Sequence, residues 1–73
     1  TLACLDALGL TADDPRVNAW GGALATGAPM GMLGAALAVR LAHRLRAEPG
    51  ARFALGALCV GMGQGMALLL ERP

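Results

Sequence analysis

Apolar residues recur at helical spacing in two parts of the chain. In residues 2–8, LACLDAL, they lie three and four positions apart, which predicts a short helix closed by Gly9. A second helix is predicted over about residues 31–47 and ends before Pro49 and Gly50. Its sides are apolar nearly all round, as in a buried helix, and only its arginine-rich last two turns are expected to be solvated. A stripe of leucines four residues apart marks one side: Leu33, Leu37, Leu41 and Leu45.

Two short apolar runs follow this helix and predict a β-hairpin. The runs RFALGALCVG and QGMALLLER flank residues 61–63, and short runs bounded by glycines are typical of buried strands. Upstream, residues 14–15 (Asp-Pro) predict a loop, and residues 17–18 (Val-Asn) a short extended piece. The predicted order is helix, loop, short strand, glycine loop (residues 20–32), buried helix and two-strand hairpin, which is an α/β arrangement.

Composition narrows the setting in which these elements fold. The chain has 73 residues, of which 56% are hydrophobic and only 15% charged, with 11 glycines in addition. A single small domain has too little interior for so much apolar surface. We therefore expect the segment to lie in a membrane, to assemble with partners or to be one part of a larger domain, and to be unstable as an isolated monomer.

Hydropathy alone supports a membrane alternative. Ala19–Val39 and Phe53–Leu70 carry no charge, and an arginine-rich connector separates them, as in a two-helix hairpin with positively charged residues on the cytoplasmic side. Pro29 and several glycines interrupt these segments, however. Backbone exposed to lipid must be helical throughout, so these breaks count against the alternative.

Charge and cysteine usage exclude several classes of protein. A net charge of +1, with one Phe, one Trp and no Tyr, offers nucleic acid neither a basic surface nor a stacking platform. Cys4 and Cys59 have no metal-binding spacing, and Cys4 is expected in the core. No signal-peptide pattern opens the chain, and we expect a cytoplasmic protein.

Two long motifs resemble those of the thiolase family. The string VNAWGGALATGAPMGMLGA is similar to the thiolase segment VNxxGGAxAxGHPxGxSGA, and LCVGMGQGMALLLE is similar to CxGxGQGxAxxxE near the thiolase C terminus. Order and spacing also match, and the likeness covers nearly the whole chain. The resemblance implies a layered αβαβα enzyme of two similar halves. Residues 1–73 would then be an incomplete domain, the C-terminal portion of the second half, with the long helix between two sheets.

The resemblance also implies an activity and its partners. Thiolases are acyltransferases that make or cleave 3-oxoacyl-CoA thioesters by Claisen chemistry. Acyl-CoA and coenzyme A would be the substrates, with no further cofactor and no metal, and the remainder of the thiolase chain would complete the site. A homo-oligomer is expected, with no nucleic acid and no membrane as partner.

The glycine loop contains the main departure from the family pattern. The family histidine of the GHP sequence, which activates the nucleophilic cysteine and helps hold the thioester oxygen, is replaced by Ala28. Its neighbours Gly27 and Gly31 are expected to let the backbone turn closely around the substrate, and Pro29 to stiffen that turn. Alanine can neither take a proton nor donate to an oxyanion. Leu33 replaces a usual serine and is a second departure.

The second motif keeps the residues that the family uses. Cys59 matches the cysteine that acts as general acid and base on the substrate α-carbon, and Gly61 matches a glycine whose N–H helps form an oxyanion hole. From the residues alone, Cys59 is better explained as a small buried hydrophobe, as are most unpaired cysteines, and only the surrounding motif favours the family role. His43, between arginines, is expected to be solvated. Asn18 is expected to support the glycine turn, and Trp20 either to line a substrate channel or to pack.

Two family motifs have no match in these residues: the nucleophilic cysteine and the asparagine-bearing NEAF sequence. An isolated chain is therefore expected to be inactive. Two interpretations remain besides the membrane hairpin. The chain is part of a thiolase impaired by Ala28, or part of a degenerate relative that serves as a non-catalytic binding or structural subunit.

Overall fold

The computed structural model describes residues 1–73 and has the expected α/β composition. Helix α1 spans Leu2–Ala7, α2 is a single turn at Ala23–Thr26, and α3 spans Leu33–Ala47. A 3-10 turn at Met30–Met32 leads into α3. Strands β1 (Phe53–Val60) and β2 (Gln64–Glu71) complete the chain, so the helix and hairpin predictions are confirmed to within two residues.

The hairpin is antiparallel and regular along its whole length. Its register runs from Phe53 opposite Glu71 to Val60 opposite Gln64, and three residues, 61–63, connect the strands. Met62 and Gly63 both have left-handed backbone conformations, with φ of 67° and 74°. Such a turn suits glycine and strains methionine, whose Cβ crowds the following carbonyl oxygen.

Helix α3 packs its leucine stripe across β1. Leu45 is buried and Leu37 and Leu41 are half-buried. The strand meets them with Gly56, itself buried, where an added Cβ would lie 2.8 Å from Leu41 Cδ1 and 2.9 Å from both Cδ atoms of Leu37. The absence of a side chain at Gly56 therefore sets how closely the helix approaches the sheet.

The expected burial of α3 on all sides is not found within this chain. Val39, on the side away from the leucine stripe, is 56% exposed, and Ala35 and Ala42 are exposed as well. Leu5 and Leu45 are the only buried apolar side chains. The 73 residues contain one layer of sheet, so they cover one side of the helix and leave its other side free.

Other expectations are corrected by local structure. Residues 17–18 form no strand, because short-range bonds hold a turn there: Val17 donates its N–H to the Asp14 carbonyl at 2.9 Å, and the Arg16 side chain binds the Asp14 carboxylate. Cys4 is exposed rather than in the core, since α1 turns Leu5 inward instead.

The two-helix membrane alternative also fails against the structure. Its second span, Phe53–Leu70, is a β-hairpin. None of the helices combines the length and the apolar character that a membrane crossing requires.

Candidate active site

The glycine loop is built from backbone turns rather than from packing. Gly21 has φ of 77° and donates its N–H to the Asn18 carbonyl at 2.8 Å, so Asn18 supports the turn as expected, through its backbone. Helix α2 ends at Gly27, whose φ of 85° and ψ of 161° suit a residue without Cβ. Pro29, with φ of −61°, begins the 3-10 turn. Ala28 lies exposed between Gly27 and Pro29.

The structure explains only one of the two glycines near Ala28. A Cβ added at either Gly27 or Gly31 would meet no atom within 4 Å. Gly27 is explained by its backbone conformation, whereas Gly31 has no positive φ and no close neighbour. The residues of this chain therefore explain Gly27 but not Gly31, and the close approach of a substrate to these glycines stays a prediction.

Two arginines on α3 contact the glycine loop. Arg40 donates from Nη2 to Thr26 Oγ1 at 3.1 Å and from Nη1 to the Gly21 carbonyl at 3.4 Å. One turn further along, the Arg44 guanidinium lies 5.4 Å from the centre of the Trp20 ring. Sequence reasoning placed these arginines at a solvated helix end and missed their contacts. The available signal was their spacing of four residues, which puts both on one side of the helix.

Cys59 and Gly61 lie at the turn end of the hairpin. Cys59 is exposed and pairs with Gly65 across the sheet, on the face away from α3 because Gly56, three residues earlier, faces the helix. Its thiol is therefore not a buried hydrophobe in this chain. The carbonyl of Gly61 accepts a hydrogen bond from Gln64 Nε2 at 3.3 Å, while the N–H of Gly61 donates to no other residue.

An open apolar cleft of about 950 Å³ runs along strand β1. Helix α1, the second half of α3 and strand β1 line it, with both Cys4 and Cys59 among its residues. Strand β1 pairs only with β2, so its other edge has no neighbouring strand.

The two motifs do not touch within these residues. Neither α2 nor the 3-10 turn packs against the hairpin, whereas α3 contacts both the 3-10 turn and β1. Helix α3 therefore joins the two halves of the predicted site without closing it.

The ionisable groups with shifted pKa values lie just before the first motif, which begins at Val17. Arg16 holds the pKa of Asp14 at about 2, below its usual 3.8, through hydrogen bonds from its side chain and its backbone. A hydrogen bond from Thr11 lowers the pKa of Asp13 as well. No three His, Cys, Asp or Glu side chains lie together in a way that could hold a metal ion.

Comparison with known proteins places these motifs in a family. The sequence profile described as "Thiolase, C-terminal domain" matches residues 1–72. The 3-oxoadipyl-CoA/3-oxo-5,6-dehydrosuberyl-CoA thiolase of Escherichia coli K12 is 51% identical over 71 residues, which is 97% of this chain and 18% of that protein. The β-ketoadipyl-CoA thiolase of Pseudomonas aeruginosa PAO1 is 49% identical over 71 residues, with the same shares covered.

A more distant relative extends the same pattern. The 3-ketoacyl-CoA thiolase of Aliivibrio fischeri is 39% identical over 74 residues, covering 100% of this chain and 19% of that protein. No solved structure matches the chain significantly. The chain spans less than a fifth of the length of these relatives. With the family profile matching almost every residue, the chain belongs to the thiolase family, as part of its C-terminal domain.

Proposed function

We propose that this segment supplies the acid/base half of a thiolase active site. Cys59 would move a proton to and from the substrate α-carbon, and the Gly61 N–H would stabilise the negative charge that develops on the thioester oxygen. The observation that carries the proposal is their joint position: an exposed thiol stands two residues before an N–H that donates to nothing in the chain. The substrate class is 3-oxoacyl-CoA.

The relatives direct the choice of the first substrate. Two of them are named for 3-oxoadipyl-CoA or β-ketoadipyl-CoA, so a 3-oxo thioester with a terminal carboxylate is the one to assay first. Coenzyme A would be the second reactant in thiolysis. No cofactor and no metal is required by this chemistry.

We propose that the remainder of a thiolase chain completes the site. The free edge of β1 and the exposed side of α3 at Val39 both lack a covering layer here. Unpaired strand edges and apolar helix faces are stable only when another element covers them. The nucleophilic cysteine would come from that remaining part. Homo-oligomer formation and a cytoplasmic location stay predictions.

Ala28 favours a second candidate function. Without an imidazole at this position the nucleophilic thiol lacks its activating base, and the only histidine of the chain, His43, is exposed near the far end of α3. The parent protein would then be a slow enzyme or a degenerate subunit that binds acyl-CoA without turnover.

Thiol labelling in the complete protein tests the role of Cys59. Both cysteines are exposed in this chain, so the labelling of each one is compared with and without the thioester. We expect 3-oxoadipyl-CoA to slow the labelling of Cys59 while leaving Cys4 unchanged. Single variants Cys4→Ser and Cys59→Ser assign the signals. Equal labelling with and without the thioester would contradict the proposed site.

Exchange of the α-protons of acetyl-CoA for deuterium separates the two candidate functions. This step uses the acid/base cysteine and does not require the nucleophile, so it can proceed where full turnover is slow. We expect exchange in the complete protein and its loss in Cys59→Ser. Binding of acyl-CoA without any exchange would favour the non-catalytic subunit.

A further inference from the structure

We propose that Arg40 is a positioning residue that anchors the glycine loop to α3. Its hydrogen bonds to Gly21 and Thr26 join both ends of the turn that precedes position 28. The consequence for catalysis rests on the proposed function, whereas the anchoring itself does not. None of the sequence motifs includes Arg40, and neither half of the proposed acid/base chemistry uses it.

The loop needs such an anchor because it has no apolar one. Helix α2 is a single turn of four residues without a side-chain cap, and isolated turns of this length are unstable in water. It packs against no other helix or strand. Its one large apolar side chain, Leu24, is fully exposed.

Arg40 reaches the loop at two separated points. Nη1 binds the Gly21 carbonyl before α2, and Nη2 binds Thr26 Oγ1 at the end of α2. The Thr26 hydroxyl in turn lies 3.4 Å from the Gly22 carbonyl and 3.5 Å from that of Gly27. A planar guanidinium with fixed donor directions can bridge two such acceptors, which a lysine ammonium cannot do with the same geometry.

The charge of Arg40 is not used in an ion pair. Three other arginines bind carboxylates: Arg16 to Asp14, Arg44 to Glu48 and Arg52 to Glu71. Arg40 binds only acceptors of the glycine loop. Arg44, one turn along α3, adds its contact with Trp20, so two neighbouring arginines hold the segment from Trp20 to Thr26.

Hydrogen exchange in the complete protein tests the anchor. Three amides between Gly21 and Gly27 are hydrogen-bonded in the structure: Gly21, Ala25 and Gly27. In Arg40→Met we expect these amides to exchange about threefold faster, the size expected for a partly exposed charged contact, with no change in the hairpin. Thr26→Val removes one of the two acceptors of Arg40 and the long hydroxyl contacts to the Gly22 and Gly27 carbonyls, and it should give a smaller rise because the bond from Arg40 to Gly21 remains. Arg46→Met is the control, since Arg46 lies on α3 but forms no hydrogen bond with another side chain or with the loop.

The double variant decides whether the two residues act through one contact. The rise in exchange in Arg40→Met/Thr26→Val should be smaller than the sum of the two single rises, because the bond between Arg40 and Thr26 is lost in each of them. Additive effects, an unchanged loop, or equal acceleration in Arg46→Met would overturn the anchor. If Arg40→Met destabilises the whole protein, Thr26→Val still gives the local result.

A kinetic measurement tests whether the anchor serves catalysis. In an Ala28→His background, Arg40→Met should lower kcat about threefold with KM nearly unchanged, because the loop then holds the imidazole less firmly. A change in KM alone would overturn the positioning role. If Ala28→His has no activity at all, the proposed function fails, and the exchange experiment still decides the anchor.

Discussion

Two regions of the molecule, the α3–hairpin unit and the glycine loop, are held by different forces. In the former, eight pairs of residues align two strands, and the leucine stripe of α3 closes against Gly56. In the latter, a single helical turn is bounded by left-handed glycines and held by two arginine side chains. One region derives its geometry from apolar contact and strand pairing, the other from backbone conformation and polar bonds.

The difference explains where each half of the candidate site can change. Substitutions in the α3–hairpin unit act through packing and should alter stability, whereas Ala28 is exposed and should vary without loss of the fold. An alanine at the position where the family resemblance predicts a histidine is therefore compatible with the observed scaffold. Substitutions in the α3–hairpin unit should therefore change the free energy of unfolding, whereas a substitution at position 28 should change the rate of thiolysis.

The largest effect is expected when the 73 residues are studied alone. Both regions lack cover, with Leu5 and Leu45 as the only buried apolar side chains. Burial of so few groups cannot offset the entropy of ordering the backbone, about 1–2 kcal/mol per residue. We expect aggregation or strong binding of ANS, read by fluorescence and size-exclusion chromatography. A monomer with a sharp, cooperative thermal transition would contradict this.

Ala28→His in the complete protein should raise the rate of thiolysis at neutral pH by about 10²–10⁴, the usual contribution of a positioned acid/base group. Melting temperature should hardly change, because position 28 is exposed. The natural protein should gain rate in alkaline solution, as an unassisted thiol ionises near pH 8.5. Ala28→Phe is the control for added bulk. An unchanged rate in Ala28→His would favour the degenerate subunit.

Gly56→Val should destabilise the complete protein by about 2 kcal/mol, since overpacking a filled contact costs about 1–3 kcal/mol. The new side chain would meet Leu37 and Leu41 below 3.0 Å and push α3 from β1. Denaturant unfolding measures the loss. Gly50→Val is the control, because a Cβ at Gly50 meets nothing within 4 Å. Equal losses in both variants would show that the helix contact is not responsible.

Met62→Asn should stabilise the hairpin by about 0.5–1 kcal/mol, since asparagine tolerates the left-handed conformation better than methionine. Met62 has φ of 67° and is 99% exposed, so no burial is lost. Met66→Asn, at an exposed position in β2, is the matched control and should not stabilise. Chemical denaturation of both variants measures the difference. A gain in Met66→Asn as well would point to general polarity.

The smallest effect is expected from pH, through the turn that Asp14 and Arg16 hold. Since the folded pKa of Asp14 lies at about 2, its ion pair stabilises the turn above the unfolded pKa near 3.8 and is lost as pH falls toward 2. Stability relative to Asp14→Asn should be constant from pH 5 to 8 and decline below about pH 4. Asp6→Asn, which removes no ion pair, is the control. A difference that is undiminished at pH 2 would contradict this origin.

Much of the local structure follows from the order of residues. The spacing of Leu33 to Leu45 predicts α3, and glycines on either side of Met62 predict the hairpin turn, because periodicity and backbone freedom are local properties. Family motifs likewise identify Cys59, Gly61 and the position of Ala28. The short strand predicted at residues 17–18 is wrong, since the Asp14–Arg16 contact bends the chain and no neighbouring strand competes with it.

Tertiary structure alone decided how these pieces meet. No periodicity indicates that Gly56 is the point where α3 touches the sheet, or that Arg40 reaches back 19 residues to Gly21. Such contacts depend on the relative placement of distant elements, which local propensity does not contain. The sequence alone shows that α3 is apolar on nearly all sides. Only one side is covered in the structure, because burial of the other side requires a second layer that these 73 residues do not include.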